Sequence, residues 1–162
     1  MDDTREAFAA HDAYDRDGNG FSLSTTPFEA RIVAEGSDYE LRVTVPTLDG
    51  AAEETVESVV EDGWFETFSL RVEDAPDATR IAVSEPTVER VDDTVTVTFE
   101  FAHDDPVRAA EAAKILAEFV EGTYIEGVVP GYTYRPPVAG LLSQARQQGD
   151  GGSDGASGPM PL

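Results

Sequence analysis

Apolar residues recur along this chain with two different periods, and each change of period marks an element. Residues 4–14 hold Phe8, Ala9 and further alanines, which predicts a short helix ending before Asp15. The period then becomes two. Phe21, Leu23 and Thr25 share one face, Phe28, Ala30, Ile32 and Ala34 the next, and Tyr39, Leu41, Val43 and Val45 a third, with Gly36-Ser37-Asp38 as the turn between the last two. Three successive antiparallel strands are expected. Thr47 or Asp49 can cap a second helix with Glu53 and Glu54 in its first turn, a stripe of Thr55, Val56, Val59 and Val60, and Gly63 as its stop. From Trp64 to Glu73 alternation resumes through Phe68, Leu70 and Val72 and predicts a further strand; Arg80 to Arg90 is a weaker one, interrupted by Pro86. Thr94 to Phe101 alternates through Val95, Val97 and Phe99, entered by a turn at Val91-Asp92-Asp93-Thr94. Asp105-Pro106 sets a capping residue before a proline at the first helical position, opening a helix through Ile115, Leu116, Phe119 and Val120 to Gly122. A last helix is expected from Val138 to Arg146.

The order α-β-β-β-α-β-β-β-α-α predicts a two-layer α+β domain, a mostly antiparallel sheet of five or six strands with helices on one face. Residues 1–146 are long enough to enclose one core. Residues 147–162 are rich in Gly, Ser, Asp and Pro and read as a disordered tail. There are no cysteines, which removes disulfides, thiolate metal sites and cysteine nucleophiles. The acidic start Met1-Asp2-Asp3-Thr4 precedes no long apolar run, so neither a signal peptide nor a membrane span is expected, and the location expected is cytoplasmic.

Charge changes the picture most. Asp and Glu number 33 against 11 Lys and Arg, a net charge of -22, and Lys114 is the only lysine. Self-repulsion at that charge opposes a compact state unless salt screens it. At molar salt the Debye length falls to about 3 Å, so a salt-saturated cytoplasm is the setting the composition implies. Arginine in place of lysine fits, because it adds less apolar stem per hydrogen bond to a carboxylate. The composition resembles that of cytosolic proteins of extreme halophilic archaea. Nucleic acid is disfavoured as a partner, since no window supplies a basic stripe.

The element order resembles the fold of type III secretion chaperones and their relatives, and that resemblance implies a protein-binding role. The stretches Val45-Pro46-Thr47-Leu48, Val60-Glu61-Asp62-Gly63-Trp64-Phe65-Glu66-Thr67-Phe68 and Phe119-Val120-Glu121-Gly122-Thr123-Tyr124 carry a second resemblance. Through them the ordered region is similar to an uncharacterised haloarchaeal protein family, a domain of unknown function that brings no activity with it.

Candidate chemistry is sparse. Asp15-Arg16-Asp17-Gly18-Asn19-Gly20 resembles the first half of an EF-hand calcium loop, with oxygen donors at Asp15, Asp17 and Asn19. Thr26 stands where the bidentate Glu belongs, and Pro27 opens a strand where the exiting helix belongs, so a turn feeding the first strand is expected. His103 lies beside Asp104 and Asp105, the arrangement of a general base held by an acid, but also that of a helix cap. A hydrolase or metal-dependent enzyme using His103 is therefore the alternative to the expected non-enzymatic, chaperone-like binding domain. Tyrosines with an apolar face and a polar tip suit a binding patch, which makes Tyr124, Tyr132 and Tyr134 candidates, with Trp64 after Gly63 another. The expected partner is a protein, a peptide or a second copy. No cofactor, catalytic residue or metal site is assigned.

Overall fold

In the computed structural model, which describes residues 2–153, the elements in chain order are α1 (Asp2–Ala10), β1 (Tyr14–Asp17), β2 (Gly20–Leu23), β3 (Glu29–Glu35), β4 (Asp38–Pro46), α2 (Leu48–Ala51), α3 (Ser58–Val72), β5 (Thr87–Val91), β6 (Thr94–Ala102), α4 (Pro106–Glu126) and α5 (Val138–Ser153). A 3-10 turn at Ala75–Ala78 follows α3. The strands form one six-stranded antiparallel sheet in the order β1-β2-β3-β4-β6-β5. This is the expected α+β class.

Register explains the two layers. Ile32, Leu41 and Phe99 pair across three strands, Ala30, Val43 and Val97 form the next row, and all six are buried. The residues between them, Arg31, Arg42, Thr98 and Thr87 in one row and Glu29, Thr44, Thr96 and Glu89 in another, point away, and none of these is buried. Helices therefore cover one face only. α4 is central among them: Ala109, Ala113, Leu116, Ala117 and Val120 are buried, and small alanines let it lie close to its neighbours α1 and α3. No helix among the described residues is long and apolar enough to cross a membrane.

Several expected elements differ, each for an identifiable reason. α1 stops at Ala10, and Tyr14–Asp17 is a strand that the sequence pattern does not announce, since only Tyr14 in it is buried. The Tyr14 hydroxyl donates to the Ala110 carbonyl at 2.6 Å, anchoring β1 to α4. The strand expected over Trp64 to Glu73 is instead most of α3. Trp64, Phe68 and Val72, spaced by four, are buried on one side, while Leu70 is 60 % exposed and belongs to the other. Gly63 lies inside this helix and does not stop it; Thr47 caps only the short α2, accepting from the Gly50 amide at 2.9 Å. The strand expected over Arg80 to Arg90 shrinks to β5 beyond Pro86, which has no amide hydrogen to give a ladder, and Val83 makes one isolated bridge to Phe101. α4 passes through Gly122 and ends at Gly127. α5 extends beyond Arg146 to Ser153, and the rest of the expected tail, 154–162, lies outside the described residues.

Candidate functional site

Two of the four aromatic candidates sit deep in the core. Trp64 is 4 % exposed and Tyr124 fully buried; the Trp64 ring stacks on Phe68 at 5.4 Å and meets Tyr124 edge-on at 5.6 Å, and Phe28 reaches Tyr124 at 5.1 Å. These rings join α3 to α4 and to the strand side of the core, and present no face to a partner. Trp64 Nε1 and the Tyr124 hydroxyl have no hydrogen-bond partner among the described residues. Burial pushes the Tyr124 hydroxyl well above the ordinary phenol range, with Tyr134 and Glu61 adding to the effect.

Tyr134 is also buried. Its hydroxyl donates to the Val129 carbonyl, and desolvation, with the charges of Tyr132 and Glu54, pushes its pKa up to about 12. The strap carrying it is pinned to the end of α2 and the loop that follows: Glu53 N donates to Thr133 O at 2.7 Å, Arg135 N to Ala51 O at 2.8 Å, and Thr133 N to Glu54 Oε1 at 2.8 Å. Of the four aromatic candidates only Tyr132 reaches solvent, half-buried with its ring 6.4 Å from that of Tyr134.

The calcium-like loop is the β1–β2 hairpin. Gly18 holds φ at 62°, a left-handed conformation that suits glycine, and a Cβ on Gly20 would come within 2.5 Å of the Ile32 carbonyl. Asn19 Oδ1 and the Asp17 carbonyl each accept from Arg31 Nη2 at 2.9 Å, and Asp17 Oδ2 accepts from Nε at 3.3 Å. A guanidinium thus takes up the oxygens of Asp17 and Asn19, and no group of three or more His, Asp or Glu among the described residues is arranged to hold a metal.

Both histidines serve turns. His103 Nδ1 accepts from the Asp105 amide at 2.9 Å, while Asp105 Oδ1 accepts from Val107 N at 3.0 Å as the N-cap of α4, so the acid beside the ring is turned to the helix and not to the imidazole. His11 repeats the arrangement, Nδ1 accepting from Ala13 N at 3.1 Å, with Nε2 on Glu111 Oε2 at 2.6 Å tying the end of α1 to α4. An open hollow of about 420 Å³ lined by Ser24, Thr26, Pro27, Glu121, Pro137 and Gln144 contains neither histidine.

A different surface stands out. The large apolar side chains most exposed among the described residues are Val59, Leu70, Val91 and Val107, and three of these four lie on α3 and β5. The two elements are neighbours: Arg90 of β5 reaches Asp62 at 3.2 Å and Glu61 at 3.5 Å, and its guanidinium lies 4.5 Å over the Phe65 ring. β5 is the last strand of the sheet, so one of its edges has no partner strand. Sequence reasoning missed this surface because it placed a helix stop at Gly63 and a strand after it. Val59, Gly63, Glu66 and Leu70 fall on one line only once the helix is continuous.

The fold and these surfaces define a two-layer α+β domain with an open sheet face. Over residues 9–144 the chain matches the model described as a family of unknown function (DUF5813), and it belongs to that family. No curated protein and no solved structure matches it.

Proposed function

We propose that this chain is a non-enzymatic interaction domain of a salt-rich, haloarchaeal cytoplasm, chaperone-like in binding protein and in transforming no substrate. The observation that supports the reading is the apolar margin formed by α3 and β5. In a chain of net charge -22, Val59 at 76 % and Leu70 at 60 % exposure stand on a helix face where solvation favours carboxylates. A free strand edge beside them offers a partner backbone hydrogen bonds as well as apolar contact. Salt supports the rest: crowded carboxylates on the open sheet face and the helix surfaces cease to repel when the Debye length is about 3 Å.

A photo-crosslinking side chain in place of Glu66, irradiated in a salt-rich cell extract, is expected to trap a protein, while the same group in place of Arg42 on the open sheet face traps none. Absence of any adduct at position 66 overturns the interaction reading. The salt setting is checked separately by far-UV circular dichroism. The helical signal should be lost on dialysis from about 3 M KCl to about 20 mM NaCl, and retention at low salt refutes the halophilic part.

A further inference from the structure

We infer that the slot filled by Tyr134 is a binding site for a small neutral aromatic molecule bearing a carbonyl oxygen, which enters as the strap of residues 128–137 swings out and gives that oxygen to the unpaired donors of Tyr124 and Trp64. What the strap encloses is the first ground. Trp64 Nε1 and the Tyr124 hydroxyl, on side chains 4 % and 0 % exposed, have no hydrogen-bond partner among the described residues, and their rings meet edge-on at 5.6 Å. Buried polar groups are nearly always paired, because an unpaired one gives up its bonds to water for nothing. Phenylalanine at position 124 would fill the core as well, so folding alone does not call for the hydroxyl. Ser69 Oγ is unpaired too, but it sits on a half-buried side chain. Trp64 lies on the side of α3 away from Val59 and Leu70, so this site and the margin of α3 and β5 stand or fall separately.

The attachment of the strap is the second ground. Between α4 and α5 it holds no helix, and its one piece of strand pairing is the isolated bridge of Tyr134 to Ala52. From Pro130 to Pro137, Tyr134 is the only buried residue, with exposed Thr133 and Arg135 on either side of it. Its hydroxyl donates to Val129 O within the strap itself, so the ring can leave without abandoning a bond to the core. The remaining ties are the three hydrogen bonds to residues 51–54 and one from Arg135 Nη1 to the Gly50 carbonyl at 3.2 Å, and one of the three ends on the exposed carboxylate of Glu54. Gly131, at φ 104°, supplies backbone freedom beside the inserted ring. Chemistry narrows the ligand further. An indole N–H only donates and a phenol can donate, so a molecule that satisfies both presents an acceptor. Tyr134 and the Glu61 carboxylate both stand near enough to act on the Tyr124 hydroxyl, and a carboxylate there disfavours an anionic acceptor, which leaves a neutral carbonyl. One aromatic ring is what the slot already holds.

Trp64 is the only tryptophan, so its indole N–H gives a single NMR signal for the site. Benzamide is the probe, with benzoate and toluene as controls, each titrated in about 3 M KCl. The indole signal is expected to move downfield with benzamide, and Tyr134→Ala to bind benzamide at least about tenfold more tightly than the wild-type chain, since no ring has to leave first. Benzoate and toluene should bind that variant at least about fivefold more weakly, and adding Tyr124→Phe should bring benzamide down to the level of toluene. Glu54→Ala frees Thr133 N without touching the slot, and should strengthen benzamide binding by about fivefold even where Tyr134→Ala fails to give native circular dichroism. An indole signal that stays still up to the solubility limit of benzamide, in the wild-type chain and in the natively folded variants, overturns the inference. Equal binding of the three probes overturns it as well.

Discussion

α3 and α4 lie side by side in one layer and bury aromatic surface against each other through Trp64 and Tyr124, yet they are built on opposite plans. α4 opens with a side-chain cap from Asp105 and a proline, and much of its length is buried alanine, leucine and valine. α3 opens at Glu57 without a side-chain cap, buries only Trp64, Phe68 and Val72, and carries Val59 and Leu70 on its far side. The centre of a helical layer is determined by what the chain must enclose. Its margin need satisfy only one face, and the residues on the other are free to serve something else.

The largest expected effect tests that contrast directly. Leu116 of α4 is fully buried, so Leu116→Ala should cost about 2–5 kcal/mol through lost transfer energy and the cavity left behind. Leu70→Ala in α3, at 60 % exposure, should stay within about 0.5 kcal/mol in dilute protein. Urea titration at constant high KCl measures both. Equal losses would mean that Leu70 is covered within a single chain, and the contrast would collapse.

The same contrast accounts for what could be read from the residues. In β4 and β6 every second side chain is buried by one helical layer, and in β3 Ala30 and Ile32 are, so the spacing by two of Ala30 and Ile32, of Leu41 and Val43 and of Val95 and Val97 reports true burial. Asp105-Pro106 announced α4 because capping is local chemistry. α3 was misread because Leu70, exposed, falls between Phe68 and Val72, both buried, and the three together imitate a strand. No local pattern separates an apolar residue that faces the core from one that faces a neighbour. The site suffered likewise. That Arg31 takes the oxygens of Asp17 and Asn19, and that Trp64 and Tyr124 bury each other, depend on contacts between residues far apart in the chain.

Capping gives the next effect. Asp105→Ala should cost about 1 kcal/mol, because the Val107 amide loses its acceptor at the start of a helix that holds the layer together. Glu57→Ala should change the stability of the dilute chain little, since no side-chain capping bond exists to lose. A large loss from Glu57→Ala would show that α3 is capped after all. Gly63→Ala should stabilise the dilute chain by up to about 1 kcal/mol, with a similar gain from Gly122→Ala, because both positions are helical and open.

The smallest effect lies on the seam between the two helices. Tyr124→Phe keeps the ring contacts with Trp64 and Phe28 and removes a buried hydroxyl that bonds to nothing among the described residues, so stability near neutral pH should be unchanged or raised by a few tenths of a kcal/mol. Its pH dependence is the sharper reading. Burial favours the neutral phenol, so the folded pKa of Tyr124 stands above that of the unfolded chain, and its contribution is complete below about pH 10 and falls as pH rises beyond it. Tyr134, pushed up to about 12, loses its own contribution between about pH 10 and 12. Urea titrations repeated from neutral to alkaline pH should therefore show a decline that Tyr124→Phe and Tyr134→Phe each make shallower between about pH 10 and 12, Tyr134→Phe by no more than Tyr124→Phe. An unchanged decline in Tyr124→Phe would mean that water already reaches the seam, so that α3 is held to α4 by less than the stacked rings imply.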